Sequence, residues 1–327
     1  MDAEVSLPTK YSFRPIRRSD LAAIIEMTAR AVEADRSVGP ATEDNLAQIF
    51  QILGERVETN TLAAISGEGS LAALALVLVR PGKDELLAML DGNVHVEHRG
   101  RGLGSYILHW MEQRAREEHE QMGGGLPLVM RTSCADHLVD RISLFEQNGF
   151  QAARYAFEMQ RDLTQPIPEK ELPENLRLVS WSRALDDDLR QAFNAAFRGS
   201  WGVPEMDEQL WPQIFTGVPQ FRADLSFLVL EGDEIAGFCI NWVNEAKNEQ
   251  RGVQEGWVEA LGVIPERRGQ GLASVLLAHS MNEFLAAGME QAALDVDTQN
   301  PTGALRLYEN MGFVATKRTV MFTKVMN

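Results

Sequence analysis

A chain of 327 residues, 45% hydrophobic and 24% charged, is long enough to bury two ordinary cores and too apolar to be disordered. Its net charge of -16 argues against a phosphate-backbone partner, which needs massed Lys and Arg, and favours a neutral or basic small molecule. Two cysteines, Cys134 and Cys239, imply no disulfide framework, and neither stands beside a His at metal spacing, so no metal is expected. The longest apolar run, Leu71 to Val79, is too short to cross a bilayer, and Met1 to Val5 lacks the basic-then-apolar pattern of a secretory signal. A cytoplasmic protein with no nucleic-acid or membrane partner follows.

The elements read as follows in chain order. Tyr11 to Ile16 is an opening strand, Ser19-Asp20 caps a helix through Val32, and Glu43 to Glu58 is a second helix. Leu62 to Ile65 and Leu71 to Val79 form a hairpin around Gly67-Glu68-Gly69. Leu86 to Val94 is a strand, Leu103 to His119 a helix, Leu126 to Thr132 a strand, His137 to Gln147 a helix and Tyr155 to Arg161 a strand. Residues 164–175 carry three prolines and no apolar period, and read as a linker. Beyond it the order repeats: strand Leu176 to Trp181, helices Asp186 to Phe197 and Glu205 to Phe215, and a hairpin of Leu225 to Leu230 with Glu234 to Val243. Strand Trp257 to Val263, helix Leu272 to Ala287, strand Ala292 to Thr298, helix Pro301 to Met311 and strand Val320 to Lys324 complete the chain.

Between the strand ending at Val263 and the helix opening at Leu272 stands Arg268-Gly269-Gln270-Gly271-Leu272-Ala273. A glycine turn at a helix N-terminus points several backbone N–H groups forward and suits a pyrophosphate. Arg268, Gly271 and Ala273 match the form Gln or Arg, two residues, Gly, one residue, Gly or Ala. Asn300, Ala304, Tyr308, Gly312 and Phe313 carry a second pattern. Together these stretches resemble the GCN5-related N-acetyltransferases, the GNAT superfamily, in the expected order. The layout occurs twice. Arg99-Gly100-Arg101-Gly102-Leu103-Gly104 stands 169 positions before the Arg268 turn, and Phe145 to Phe150 repeats Tyr308 to Phe313 with Gly149 and Gly312 163 apart. The chain therefore reads as an N-terminal domain at residues 1–163, the linker, and a C-terminal domain at residues 176–327. Each is a mixed α/β sheet flanked by helices, in tandem acyl-CoA N-acyltransferase fashion.

The resemblance implies transfer of an acetyl group from acetyl-CoA to a primary amine of a small molecule or peptide. Residues 268–273 would cradle the cofactor's phosphates, with the Arg268 side chain adding charge, and the edge of Leu261 and Val263 would pair with its pantetheine. A bulge in that strand is expected at Gly262, and a backbone N–H near Leu261 would donate to the reacting carbonyl. An alkyl amine of pKa ~10.4 is mostly protonated at neutral pH, so a base is useful. Glu259, spaced to share a face with Leu261 and Val263, is the first candidate, ahead of Glu255 and Asp297. Tyr308 resembles the family's general acid, and Asn300 either hydrogen-bonds the cofactor arm or caps the helix. Trp201 and Trp242, with Asp297, are the residues expected to line the acceptor pocket. In the first copy Val94 and the Arg99 to Gly104 turn are kept as a second CoA cradle, but Phe145 replaces the tyrosine, Leu90 stands in the place of Glu259 and His137 in that of Asn300. That copy is expected to be catalytically degenerate, and His95 and His98 to be solvated. A complete second copy behind a degenerate first one also resembles the mycothiol synthases, which acetylate a cysteinyl pseudo-disaccharide. The rival of another class is a non-catalytic acyl-CoA-binding regulator. A monomer or homodimer is expected.

Overall fold

The computed structural model describes residues 10–36, 41–82 and 84–326, so the Met1 to Val5 reading lies outside the described residues. The first half runs β1 (Tyr11–Arg14), α1 (Leu21–Asp35), α2 (Glu43–Leu53), α3 (Val57–Asn60), β2 (Thr61–Ser66), β3 (Leu71–Pro81), β4 (Leu86–Val94), α4 (Leu103–Gln121), β5 (Leu128–Ala135), α5 (Val139–Gln147) and β6 (Gln151–Asp162). The second runs β7 (Arg177–Ser180), α6 (Asp186–Ala196), β8 (Phe227–Glu231), β9 (Glu234–Trp242), α7 (Glu245–Arg251), β10 (Glu255–Val263), α8 (Leu272–Ala286), β11 (Gln291–Asp297), α9 (Ala304–Asn310) and β12 (Val314–Met326).

Two compact units result, one of residues up to Tyr155 together with those from Thr319 onward, the other of Ala156–Arg318. The N-terminal unit holds strands in the order β1-β2-β3-β4-β5-β12, the C-terminal unit β6-β11-β10-β9-β8-β7. These units differ from a plain cut at residues 164–175, because each sheet takes the strand that follows the other copy in sequence. Thr319 to Met326 pair antiparallel with Ala135 to Leu128, and Ala156 to Asp162 with Asp297 to Gln291. The edge of β5 or β11 would otherwise present a row of unpaired N–H and C=O groups. Arg161 anchors β6 in the C-terminal unit, its Nε donating to the Met311 carbonyl at 2.5 Å and its Nη2 to the Pro166 carbonyl at 2.7 Å. The proline-rich stretch is not a free tether either, since Ile167 and Leu172 pack against the core of that unit.

One face of each sheet is closed by the long helix after the glycine turn. Leu103, Ile107, Leu108 and Met111 of α4 pack on Ala73, Ala75, Val77 and Val79 of β3 and on Leu86, Ala88 and Leu90 of β4. Leu272, Leu276, Met281 and Phe284 of α8 do the same for Cys239, Val258, Leu294 and Val296. Helical spacing on one partner and period-2 spacing on the other produce this match. Three sequence expectations change. The helix over 43–58 ends at Leu53, where Gly54 turns with φ 55°. The helix over 205–215 is shortened to a turn that starts after Asp207, whose side chain accepts from the Gln209 and Leu210 N–H groups as a cap, and runs into a short π-turn at Pro212–Thr216. The sequence reading missed α7, whose run of charged residues lacks an apolar stripe.

Gly256 of β10 lies under the Phe284 ring, and a Cβ there would meet ring carbons at 2.6 Å. Gly256→Ala is expected to lower stability by about 1–3 kcal/mol, read as a lower urea midpoint at unchanged slope. An unchanged midpoint would show that α8 does not press on β10 at this point.

Candidate active site

β10 starts beside β11 and then leaves it. Their parallel ladder joins Glu255↔Gln291 through Val258↔Leu294 and stops, although β10 runs to Val263 and β11 to Asp297. On the other edge β10 stays on β9, with a register slip between Val258 and Ala260 that makes Glu259 an extra residue. A bulge of this kind bends its strand away from a neighbour. Because the Ile264 N–H bonds the Ala236 carbonyl at 3.1 Å, alternation turns the N–H and C=O groups of Leu261 and Val263 away from β9, toward the gap. The bulge therefore sits at Glu259 and not at Gly262. It also breaks the expected shared face: Leu261 and Val263 pack toward the α8 core, whereas Glu259 stands on the side of Trp257. Gly262 stays in register opposite Phe238. Its bare Cα admits that ring, since a Cβ would lie 2.2 Å from Phe238 Cζ.

The turn after β10 forms an anion cradle. Gly269 and Gly271 adopt φ values of 78° and 79°, and a Cβ on either would point into open space. Arg267, Arg268, Ser274 and Val275 N–H groups are spent on carbonyls of the turn, whereas among the described residues no protein acceptor takes those of Gly269, Gln270, Gly271, Leu272 and Ala273. Five free donors at the head of a 15-residue helix suit a diphosphate. The Arg268 side chain is turned elsewhere than expected. Its Nε donates to the Val263 carbonyl at 3.2 Å and its Nη2 to the carbonyl of Ala196, the last residue of α6, at 2.7 Å. It holds the turn in place by capping a helix C-terminus.

The N-terminal unit repeats this geometry. The β4–β5 ladder stops at Met89↔Arg131 while β4 runs to Val94, Gly100 and Gly102 adopt φ values of 71° and 82°, and α4 opens at Leu103. The N–H groups of Gly100, Arg101, Gly102, Leu103 and Gly104 find no protein acceptor among the described residues. Arg99 ties this turn to the end of α1 through a two-pronged pair with Asp35 at 2.6 and 2.8 Å. What it lacks is the bulge, because β3 and β4 pair without a slip from Ala73↔Val94 to Pro81↔Leu86. Leu90 is buried in the α4 core, so the carboxylate on the open face of β4 is its neighbour Asp91, with a pKa raised by desolvation against the pull of Arg141. Phe145 is buried against Phe322, ring centres 5.3 Å apart.

Around Glu259 the open face of the C-terminal sheet is acidic. Glu259 accepts a hydrogen bond from Trp257 Nε1 at 3.1 Å, and desolvation, with the nearby Asp295 carboxylate second, pushes its pKa up to about 8. Asp295 of β11 is pushed up to about 6, by desolvation first and Glu158 second, against Lys247 and Lys317. Glu158 is buried in β6 with Lys317 at 3.2 Å. Glu255 is spoken for by Lys247 at 3.3 Å, Arg251 at 3.0 Å and Gln160 at 3.1 Å, so it is not a free base. Tyr308 is buried in the α8 core beside Cys239; burial first and that thiol second raise its pKa, so the phenol keeps its proton throughout the working range. Its hydroxyl has no protein partner among the described residues. Cys239 is itself pushed up to about 12 by burial and stays a neutral thiol.

The remaining expected residues are placed as follows. Asn300 is not the cap of α9, which is Gly303; its Oδ1 accepts from the Thr302 N–H and hydroxyl at 2.9 and 2.7 Å. Asp297 closes β11 and accepts from the Gln299 N–H at 2.8 Å. Trp242 pairs with Trp257 across β9 and β10, and its indole N–H is buried without a partner among the described residues. Trp201 lies half-buried in the loop after α6. Sequence reasoning missed Asp295, Glu158, Lys247 and Lys317. The alternation in Leu294-Asp295-Val296 was the available signal for the first, since both flanking residues belong to the α8 core.

Comparison with known proteins agrees with this geometry. Residues 187–313 match the model of the acetyltransferase (GNAT) family. That stretch contains both the Arg268 to Ala273 turn and the Asn300 to Phe313 pattern. Mycothiol acetyltransferase of Thermobispora bispora is 29% identical over 93% of this chain and 96% of that protein, and that of Streptomyces scabiei 28% over 90% and 95%. Among solved structures, a GCN5-related N-acetyltransferase from Sphaerobacter thermophilus superposes with a TM-score of 0.79 at 24% identity over 98% of this chain and 97% of that one. A tandem GNAT protein from the clavulanic acid biosynthesis pathway gives 0.70 at 14%, over 96% and 98%. The chain is an acyltransferase that uses acetyl-CoA, and transfer of the acetyl group to an amine is consistent with these matches. The free amides of the turn and the open edge of Leu261 and Val263 fit that cofactor. Among the described residues no helix is long and apolar enough to cross a membrane.

Because the folded pKa of Glu259 lies above its ordinary 4.5, the group contributes stability that is present below pH ~4.5 and lost as pH rises through about 8. Replacing Asp295 by Asn removes a neighbouring negative charge and lowers the Glu259 pKa. A carboxyl NMR titration is expected to show the Glu259 midpoint falling by about one unit in that variant; an unmoved midpoint would mean the two carboxylates do not sense each other.

Proposed function

We propose that the C-terminal unit is the seat of acetyl transfer and that its acceptor is a cationic amine of the aminoacyl type, a cysteinyl sugar conjugate being the leading case. The observation that carries this reading is the bulged Glu259, which stands near Asp295 where β10 parts from β11. An ammonium entering that face meets Asp295, and Glu259, with a pKa near 8, gains its capacity to accept a proton as pH rises toward 8. Acetyl-CoA supplies the activated acyl group. Residues 269–273 hold its phosphates, the open edge at Leu261 and Val263 aligns its arm, and Tyr308 holds a proton at its hydroxyl for the departing sulfur. Trp242, opposite Trp257 and with an unspent N–H, offers a donor on the same face. The full-length match to proteins named mycothiol acetyltransferase supports the cysteinyl acceptor. The N-terminal unit, with a cradle but with Phe145 where a proton donor is needed, binds CoA without turnover.

A panel of amines scored by CoA release tests the acceptor class. Cationic aminoacyl amines are expected to turn over, and equal rates with anionic amines would overturn the reading. Glu259→Gln should lower kcat/KM by about 100-fold or more and remove the enzyme's own rise near pH 8. Tyr308→Phe should lower kcat with little change in acetyl-CoA affinity by calorimetry; unchanged turnover would take the phenol out of the mechanism. The same calorimetry is expected to count two cofactor sites per chain, and a single site would remove the N-terminal one.

A further inference from the structure

The open face of the N-terminal sheet carries, besides Asp91, a pair of arginines. Met130 and Cys134 of β5 point into the α4 core, so Arg131 points to the other side. Val77 and Val79 of β3 likewise point to α4, which puts Arg80 on the same side as Arg131. Arg80 pairs with Leu87 and Arg131 with Met89 across β4, so the two arginines flank that strand where β4 and β5 part. Both guanidinium pKa values are lowered, mainly by desolvation, and that of Arg80 also by Arg131. Glu85 meets Arg131 at 2.9 Å, but Arg80 has no acidic partner among the described residues, and its Nε is buried without a hydrogen bond. Beside them Met89 is 38% exposed. The corresponding face of the C-terminal unit carries Glu259 and Asp295.

Arg80 is half-buried, and a guanidinium with a buried, unspent Nε and no anion beside it is less stable than one whose donors are all satisfied. We propose that Arg80 and Arg131 form a binding site for the carboxylate of a small organic acid, whose hydrocarbon part rests on Met89. Guanidinium donors match a carboxylate in shape, and the apolar thioether beside them favours an organic acid over a bare inorganic anion. This site is separate from the acetyl transfer assigned to the C-terminal unit and stands whatever the acceptor there is. The carboxylate can belong to a free acid or to the far end of an acyl group on CoA seated in the Arg99 to Gly104 cradle.

Thermal unfolding of the full chain in sodium succinate, against sodium chloride of equal ionic strength, tests the site. A second arm compares succinyl-CoA with acetyl-CoA. The midpoint is expected to rise saturably by about 3 °C in at least one arm, and Arg80→Gln to abolish that rise. A rise in the first arm assigns a free acid, and one in the second alone assigns an acyl terminus. No rise in either arm, or a rise that survives in Arg80→Gln, would overturn the proposal. Without ligand, Arg80→Gln should unfold no lower than the natural chain, since it removes a half-buried charge whose Nε has no partner among the described residues. A drop of several degrees would show that Arg80 is held by the fold itself and would also overturn it.

Discussion

The separation of β10 from β11 after Val258 is the constraint on which the C-terminal unit depends. Two parallel strands that stayed paired would spend the N–H and C=O groups of Leu261 and Val263 on each other and leave nothing for a ligand. The extra residue at Glu259 swings β10 aside while β9 keeps its hold on the far edge. The same bulge brings Glu259 out onto the open face, where desolvation and Asp295 raise its pKa. One irregularity thus provides both the edge proposed for the cofactor and the candidate base.

The cradle beside this gap relies on an arginine that does not serve it directly. Arg268 is fastened to the carbonyls of Val263 and Ala196, and Arg99 to Asp35 and the Val94 carbonyl. In both units the guanidinium ties the strand end, the turn and the end of the unit's first long helix together. The glycines are then free to leave their amides unspent. That both units keep this device argues that the turn's shape, more than the arginine's charge, is what the motif requires.

The units diverge where a side chain must do chemistry. β4 lacks the bulge, Phe145 fills with carbon the space in which Tyr308 carries a hydroxyl, and the open face adds Arg80 and Arg131 to the carboxylate of Asp91. Each unit remains a complete sheet because it is closed by a strand from the far side of the other's sequence, β12 on β5 and β6 on β11. The glycine turns and cores were retained, and the polar residues on the open faces were changed.

Much of this was legible in the order of residues. Alternating and helical apolar spacing marked most strands and long helices, the two Arg-Gly-x-Gly turns announced the cradles, and the repeat announced two units, because each of these depends on neighbours within a few residues. Tertiary structure alone decided the rest. The position of the bulge depends on how β9 and β10 register, so counting along the strand placed it at Gly262 when it lies at Glu259, and placed Leu90 where Asp91 faces out. The partners of Arg268, the acidic company of Asp295 and Glu158, and the exchange of closing strands join residues far apart in the chain. Pairing over such distances is governed by packing and electrostatics that local spacing does not encode.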